Sequence, residues 1–412
     1  MLDFSDKPYR FFAPRPNRIV AAIVSKLNRT FVLPGRNHRI KKIELRHADR
    51  VLPVIKSGAS CLLLPNHSTH SDPQMMFEVQ RRLRIQASTM AAYDVFLRGK
   101  LAAWMMQCVG CFSVDREGSD KLAMNCAVET LVEGKRALTI FPEGNVLLMN
   151  DRVAPFLGGA AFIGMRAQKK RGADAPVYAL PISMKYSHLT DVEPAIHKHM
   201  DELESQLKID VASDTSLRKR MRAIGLEILG RNLRQRDFVP PANEVEDLNS
   251  ALNNGAMQIV EKLEKKIEIE AKAGQSPIER IRKIRAAIHQ IRIDETQQLD
   301  HRVASSWADE AILAMRILSY SGDYLRESPT LDRHGETLEK FREDLSEKIV
   351  RPLGDRSVVV QFGQPINLAD ALAAKNSRQA LNDLTTQFEQ AVQEGLDEIN
   401  ATNTNAGARS LE

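Results

Sequence analysis

Apolar positions along residues 50–190 come in short runs separated by longer stretches of mixed polarity, the alternation of strands and helices expected of an α/β domain. The runs predict strands over 61–64, 88–91, 111–114, 137–141 and 177–184. Residues 73–83, 100–108, 120–133 and 158–169 predict the helices between them. Upstream, Ile19, Val20, Ile23, Val24, Leu27 and Phe31 recur at helical spacing, with Arg18, Lys26 and Arg29 among them. Such a helix either lies on a membrane or packs its apolar stripe on its own domain with the basic residues in water; the pattern leaves both open.

From residue 190 to 350 the pattern changes to charged, strand-poor and helical. Ser276-Pro277-Ile278-Glu279 reads as a helix start, with Ser as cap, Pro in the first turn and Glu closing a capping box. Ile281, Ile284, Ile288 and Ile291 follow at heptad spacing, surrounded by Arg280, Arg282, Lys283, Arg285 and Arg292. A strand pattern returns at 357–362, then a Gly363-Gln364-Pro365 turn and a helix near 381–399. The segment after Ala401 is polar and expected to be disordered.

Composition narrows the class. A chain of 412 residues suggests two or three units, or one large domain with an insertion. With 43% hydrophobic and 27% charged residues it can bury a sizeable core and is not of disordered type. The apolar runs at 19–24 and 101–106 fall far short of the roughly 20 residues that span a bilayer. No basic, apolar, small-residue leader pattern opens the chain, so a cytoplasmic location is expected. Net charge is +5, but residues 1–50 carry 12 Lys/Arg against four Asp/Glu. That local excess predicts an anionic partner surface; without interleaved aromatics or a nucleic-acid motif, anionic lipid fits and nucleic acid does not. Cys108 and Cys111 form a C-x-x-C pair, but Cys61 and Cys126 do not complete a zinc site at usual spacing, so ordinary semi-buried thiols are expected.

Two segments carry candidate chemistry. The predicted strand 61–64 delivers Asn66-His67-Ser68-Thr69-His70-Ser71-Asp72-Pro73 at its C-terminal end, where ligands and catalytic groups collect in α/β sheets. An imidazole and a carboxylate five positions apart across a loop entering a helix can hydrogen-bond. Asp72 would fix the tautomer of His67 and leave the other ring nitrogen to take a proton from an attacking hydroxyl. The second segment, Phe141-Pro142-Glu143-Gly144-Asn145, also ends a predicted strand and offers a carboxylate beside a glycine that permits close approach.

Together these segments resemble the glycerophospholipid acyltransferase family typified by lysophosphatidic acid acyltransferases, whose signature is Asn-His, four residues and Asp, followed by Phe-Pro-Glu-Gly. Gly110-Cys111-Phe112-Ser113-Val114-Asp115-Arg116 is similar to the family's glycine-to-arginine block, and Ala179-Leu180-Pro181-Ile182 to its later proline strand. The likeness covers 40–190 and resumes at Val358 to Ile366. It implies an α/β fold of the glycerol-phosphate-acyltransferase type with a large helical insertion. The organisation expected is a basic amphipathic helix region at 1–40, an acyltransferase core at 41–190, a helical insertion at 191–350, the core's last strand and helix at 351–400, and a disordered tail at 401–412.

The resemblance also implies acyl transfer from a thioester to a lipid hydroxyl, with His67 as base and Asp72 as its partner. It puts Arg116, Glu143, Gly144 and Asn145 near the acceptor's glycerol and phosphate, and Pro181 near the donor. No cofactor or metal is implied; the co-substrate is an acyl-CoA or acyl carrier protein thioester. The acceptor implied is a membrane lipid, 1-acyl-glycerol-3-phosphate first, glycerol-3-phosphate or another lysolipid as alternatives, met by a peripheral protein on the cytoplasmic face. The chain departs from the family after Gly144, where Asn145 and Val146 replace the usual Thr or Ser and Arg; Arg152 is the candidate replacement cation. Two other classes stay in play: a metal-dependent hydrolase using His67, His70, Asp72 and Glu143, and a non-catalytic lipid-binding scaffold built around the insertion.

Overall fold

The computed structural model describes residues 9–116, 120–210, 215–241, 247–272, 274–293, 301–372 and 377–411. Its centre is one mixed, mostly parallel sheet. In chain order the strands are β1 (Ile40–Arg46), β2 (Ser60–Pro65), β3 (Ala87–Ala92), β4 (Cys111–Val114), β5 (Ala137–Thr139), β6 (Val177–His188), β7 (Arg356–Phe362) and β8 (Ile366–Asn367). In space they run β1-β7-β6-β2-β5-β3-β4, with β8 also paired to β6.

The middle strand shows why the apolar runs became strands. β2 lies parallel between β5 and β6, buried along its whole length. Because side chains alternate across a strand, Leu62 and Leu64 face one layer, with Ala123, Ala127, Leu131, Ile163 and Phe388. Cys61 and Leu63 face the other, with Met75, Met76 and Val79 of the helix Asp72–Leu83. A strand covered on both faces needs a continuous apolar sequence, which Cys-Leu-Leu-Leu supplies. Each fully buried leucine contributes about 1.5–3 kcal/mol, so the register of β2 is firmly held and the loop leaving it starts from a fixed point.

All five strands predicted between 61 and 184 are present, as are the four helices, at Asp72–Leu83, Lys100–Cys108, Lys121–Glu133 and Gly159–Arg171. β5 stops at Thr139, two residues early, because the chain turns out of the ladder ahead of Pro142. β1 went unpredicted: it is an edge strand paired only to β7, and Lys41, Lys42, Glu44 and Arg46 give it the look of a charged loop.

The long helical segment sits between two strands that touch. β6 and β7 are antiparallel neighbours over Ile182↔Phe362 to His188↔Arg356, and Leu189 N–H donates to the carbonyl of Asp355 at 2.9 Å. The chain thus leaves the sheet at 189 and re-enters beside its point of exit. Two apolar clusters build the segment, one around Ile259, Leu263, Ile281, Ile284 and Ile288, the other around Met200, Met221, Ile224 and Leu338. The capping box is formed: Ser276 N–H donates to Glu279 Oε2 at 2.8 Å and Glu279 N–H to Ser276 Oγ at 3.3 Å. Three of the four heptad isoleucines are fully buried; Ile291 is half-buried.

Residues 402–411 correct the expected disorder. Asn403 and Asn405 donate to Ser187 Oγ and Ser357 Oγ at 3.1 and 3.0 Å, and Arg409 pairs with Glu193 at 2.8 Å. Gly407 lies against Asp332, where any Cβ would collide with the carboxylate. The polar residues that suggested a loose tail are instead the partners of buried strand-end hydroxyls.

At the other end, the helix Arg18–Leu27 contains no buried residue and runs into a wider turn at Asn28–Val32. Ile19 is 73% exposed and Phe31 68%, with Ile23 and Leu27 outward between them. The stripe is divided: Val20 and Val24 are half-buried against the neighbouring helices, whereas Ile19, Ile23, Leu27 and Phe31 are not packed on the domain. Among the described residues no helix is long and apolar enough to cross a membrane. The four cysteines are free, and burial pushes the Cys111 thiol up to about 12.

Candidate active site

Where β2 ends, β6 continues, and polar side chains take over its free edge. Asn66 donates from Nδ2 to Met184 O at 3.0 Å and accepts at Oδ1 from Met184 N–H at 2.7 Å. Asn150 makes the same pair with Tyr186, and Asp332 accepts from His188 N–H at 2.9 Å. Unpaired strand groups in the interior cost more than these contacts, so the substitutes hold the sheet closed while releasing the backbone after Asn66.

His67 is the first residue so released. Its Nδ1 lies 3.0 Å from Asp72 Oδ2, the His side chain 15% exposed and the Asp completely buried. Asp72 also accepts from Thr69 N–H at 2.8 Å and Thr69 Oγ at 3.2 Å, and it stands in the first turn of its helix, followed by Pro73. The helix N-terminus favours a negative group there, and the fixed φ of Pro suits that first turn. The expected contact between the two residues is therefore made, with the loop 68–71 folded around the carboxylate. Phe141 covers one face of the imidazole, ring centres 4.3 Å apart.

Glu143 is placed differently from what a substrate ligand would need. Oε1 accepts from His67 N–H at 2.5 Å and Oε2 from Ala154 N–H at 2.9 Å, so both oxygens are used inside the protein. Burial, reinforced by Asp72 and Glu389 nearby, pushes its carboxyl up to about 8 against the pull of those two N–H groups. Its visible work is to tie the His67 backbone to residue 154. Gly144 follows with φ +76, the left-handed region, and a Cβ there would meet Leu157 Cδ1 at 2.8 Å.

Arg116 donates to Asn145 Oδ1 at 2.9 Å and to Asp94 Oδ1 at 3.0 Å. The structure thus joins the two blocks that the sequence kept 29 positions apart. Arg152 does not join them: it pairs with Glu327 and donates to Ser321 Oγ at 3.0 Å, both from the inserted segment. Pro181 is buried in β6 opposite Leu64, its carbonyl accepting from Gly363 N–H at 3.0 Å, a position within the sheet and outside the loop of His67. His70 goes to Glu343 at 3.0 Å, and among the described residues no group of three His, Cys, Asp or Glu side chains is arranged to hold a metal ion.

The sequence reading missed a buried ionic seam between the loop after Glu143 and the helix Leu331–Ser346. Asp151 pairs with Lys185 and accepts from Arg333 Nε at 2.6 Å; Tyr324 Oη bonds Glu336 and accepts from Asn150 and Asp151 N–H, each at 3.1 Å. The two cations hold Asp151 down at about 2 despite burial, whereas burial pushes Glu336 up to about 8. His289 meets Asp115, the neighbour of Arg116, at 3.5 Å. No local pattern in the sequence distinguished Arg333 and Glu336 from the other charged residues of 190–350.

A histidine oriented by a buried carboxylate, on a loop at the C-terminal end of a central parallel strand, is an arrangement suited to general-base chemistry on an α/β scaffold. Within that class, residues 42–185 match the family model described as Acyltransferase, the family that includes the glycerophospholipid acyltransferases. The matched range contains His67, Asp72, Arg116, Glu143 and Pro181, and it ends within β6, before the helices that follow. No curated protein matches the chain.

Proposed function

We propose that this acyltransferase moves a fatty acyl group from an acyl-CoA or acyl carrier protein thioester to the hydroxyl of a lysoglycerophospholipid-type acceptor, 1-acyl-glycerol-3-phosphate first. The observation that carries the reading is the 3.0 Å contact between His67 Nδ1 and Asp72 Oδ2 within the matched family segment. Nε2 of His67 accepts the acceptor's hydroxyl proton as that oxygen attacks the thioester carbonyl. The tetrahedral intermediate then collapses, the C–S bond breaks, and the imidazolium returns the proton to the departing thiolate. Asp72 stabilises the transient imidazolium and keeps Nδ1 protonated. Arg116, with Asn145 beside it, supplies a fork of donors suited to the acceptor's phosphate.

A lipid acceptor stays in its bilayer, so the protein must dock. The exposed Ile19, Ile23, Leu27 and Phe31, flanked by Arg15, Arg18, Lys26 and Arg29, supply an apolar face and a basic rim. The adjoining helix Lys100–Cys108 leaves Leu101 and Trp104 exposed as well. Each basic residue near an anionic surface contributes on the order of 1 kcal/mol, screened by salt. Binding to anionic liposomes should weaken as ionic strength rises and fall sharply for Ile23→Glu; salt-independent binding by both proteins would remove this helix from the account.

The chemistry is tested by an acceptor panel. Labelled acyl thioester offered with 1-acyl-glycerol-3-phosphate, glycerol-3-phosphate and neutral lysolipids should give ester product with at least one of them. Thioester consumed only to free fatty acid, in every case, would favour a hydrolase.

A further inference from the structure

A cavity of about 830 Å³ lies inside the helical insertion, among the helices Leu217–Arg234, Leu248–Ile267, His301–Leu318 and Leu331–Ser346. Except for Leu148 and Met149, its wall is outside the segment matched to the acyltransferase family. Met221, Ile228, Leu252, Leu313, Ile317 and Phe341 make the wall largely apolar. The polar groups that also reach it are matched to one another. Arg316 lies 3.2 Å from Asp344, Tyr320 Oη donates to Asp344, and Lys340 Nζ donates to Ser319 O at 2.5 Å. The interior therefore offers hydrocarbon contact and few polar atoms in need of a partner.

The rim has a different character. Arg218, Lys219 and Arg222 border the cavity from one turn of the helix Leu217–Arg234. The acids on the same rim are already committed: Asp247 caps the helix Leu248–Ile267, and Asp323 is bonded to Asn249 and Arg326. Protein interiors close on themselves to crystal-like density, so an apolar recess of this volume, open at its rim, leaves hydrocarbon surface unpacked where side chains would ordinarily fill it. Its size falls in the range of roughly 300–1,000 Å³ typical of sites that enclose a small ligand. Gly225, in the interior of a helix where glycine is disfavoured, admits the Phe341 ring of the wall: a Cβ there would stand 3.1 Å from Phe341 Cζ.

We propose that this cavity binds a single-chain anionic lipid, with the hydrocarbon chain between Leu252, Ile317 and Phe341 and the acidic head at Lys219 and Arg222. The chain would lie against Leu148 and Met149, which precede the Asn150–Asp151 backbone held by Tyr324, itself part of the wall. Through residue 154 and Glu143 the same loop reaches the backbone of His67. Occupancy thus bears on the loop that supports the histidine. The binding claim stands without the acyl-transfer reading; only the coupling rests on it.

The test uses the full chain and parinaric acid, a fluorescent long-chain fatty acid. Saturable binding to wild type is expected, unchanged in His67→Ala and weakened at least tenfold by Leu252→Trp, with Leu252→Met retaining it. Displacement by saturated fatty acids should weaken about fourfold per methylene removed. Should Leu252→Trp fail to fold, a photoreactive fatty acid on wild type serves instead, and its adducts should map to 217–234, 248–267 or 301–318. No binding, binding indifferent to chain length, or adducts confined to residues 9–33 would overturn the proposal and leave acyl transfer untouched. If Leu252→Trp also alters the acyl-chain preference of turnover, the occupant is a substrate chain; if that preference is unchanged while parinaric acid binding is lost, it is a separate fatty acid.

Discussion

The two walls of the His67 loop are built by opposite means. On the sheet side, β2 holds it with leucines buried on both faces, an arrangement with no polar atom to satisfy. On the insertion side, Asp151, Lys185, Arg333, Glu336 and Tyr324 hold the returning loop with charges and hydrogen bonds, all buried. Apolar packing tolerates small changes of shape and fixes position by volume. A buried ionic seam adds little net stability when intact, yet it is costly when one partner is removed. The first wall therefore sets where the histidine is, and the second sets which arrangement of the insertion the site accepts.

The comparison breaks most readily at Asp151. Replacing it by Ala leaves Lys185 and Arg333 buried without their shared carboxylate, and a loss of about 3–5 kcal/mol in denaturant unfolding is expected. Leu62→Ala on the sheet side should cost about 2–5 kcal/mol through its cavity. A cost for Asp151→Ala below that of an exposed salt bridge would mean that the seam is not the constraint described.

A smaller effect concerns pH. Glu336 faces Lys185, Asp151, Asp332 and Tyr324, and its carboxyl is raised to about 8 chiefly by burial. A raised carboxyl pKa gives stability that is present below its ordinary value near 4.5 and lost as pH climbs through 8. Thermal stability should therefore decline across that window, and Glu336→Gln should flatten the decline. An unchanged slope in the variant would assign the pH dependence elsewhere, Glu143 being the next group of the same kind.

The smallest effect on stability is expected at Arg116. Its pairs with Asp94 and Asn145 are only partly buried, so Arg116→Ala should cost no more than about 1 kcal/mol. Its effect should show instead as a raised KM for a phosphate-bearing acceptor, with less change for a phosphate-free one. Equal losses on both would make the residue structural.

The same contrast explains what could be read from the chain. β2, β3, β4 and β6 were legible because apolar runs have a period and a length; so was the pairing of His67 with Asp72, because five positions span a loop into a helix. Ser276 and Glu279 announced their capping box by type and spacing. β1 was hidden by charge on an edge strand, and the ordered tail by asparagines whose partners are strand-end hydroxyls. The seam was not legible at all: Asp151 meets Arg333 across 182 positions, and no local pattern marks a charge that will be buried. Glu143 was recognised as important, but its use of both oxygens on backbone N–H groups of residues 67 and 154 is a fact of three-dimensional closure.

The central claim is that His67 removes the acceptor's proton, and single-turnover transfer of labelled acyl groups by His67→Ala tests it most directly. General-base catalysis is typically worth about 10² to 10⁴ in rate, so the variant should lose at least that factor while retaining the wild-type melting transition and acceptor binding. A folded His67→Ala protein that transfers acyl groups within tenfold of wild type would contradict the account.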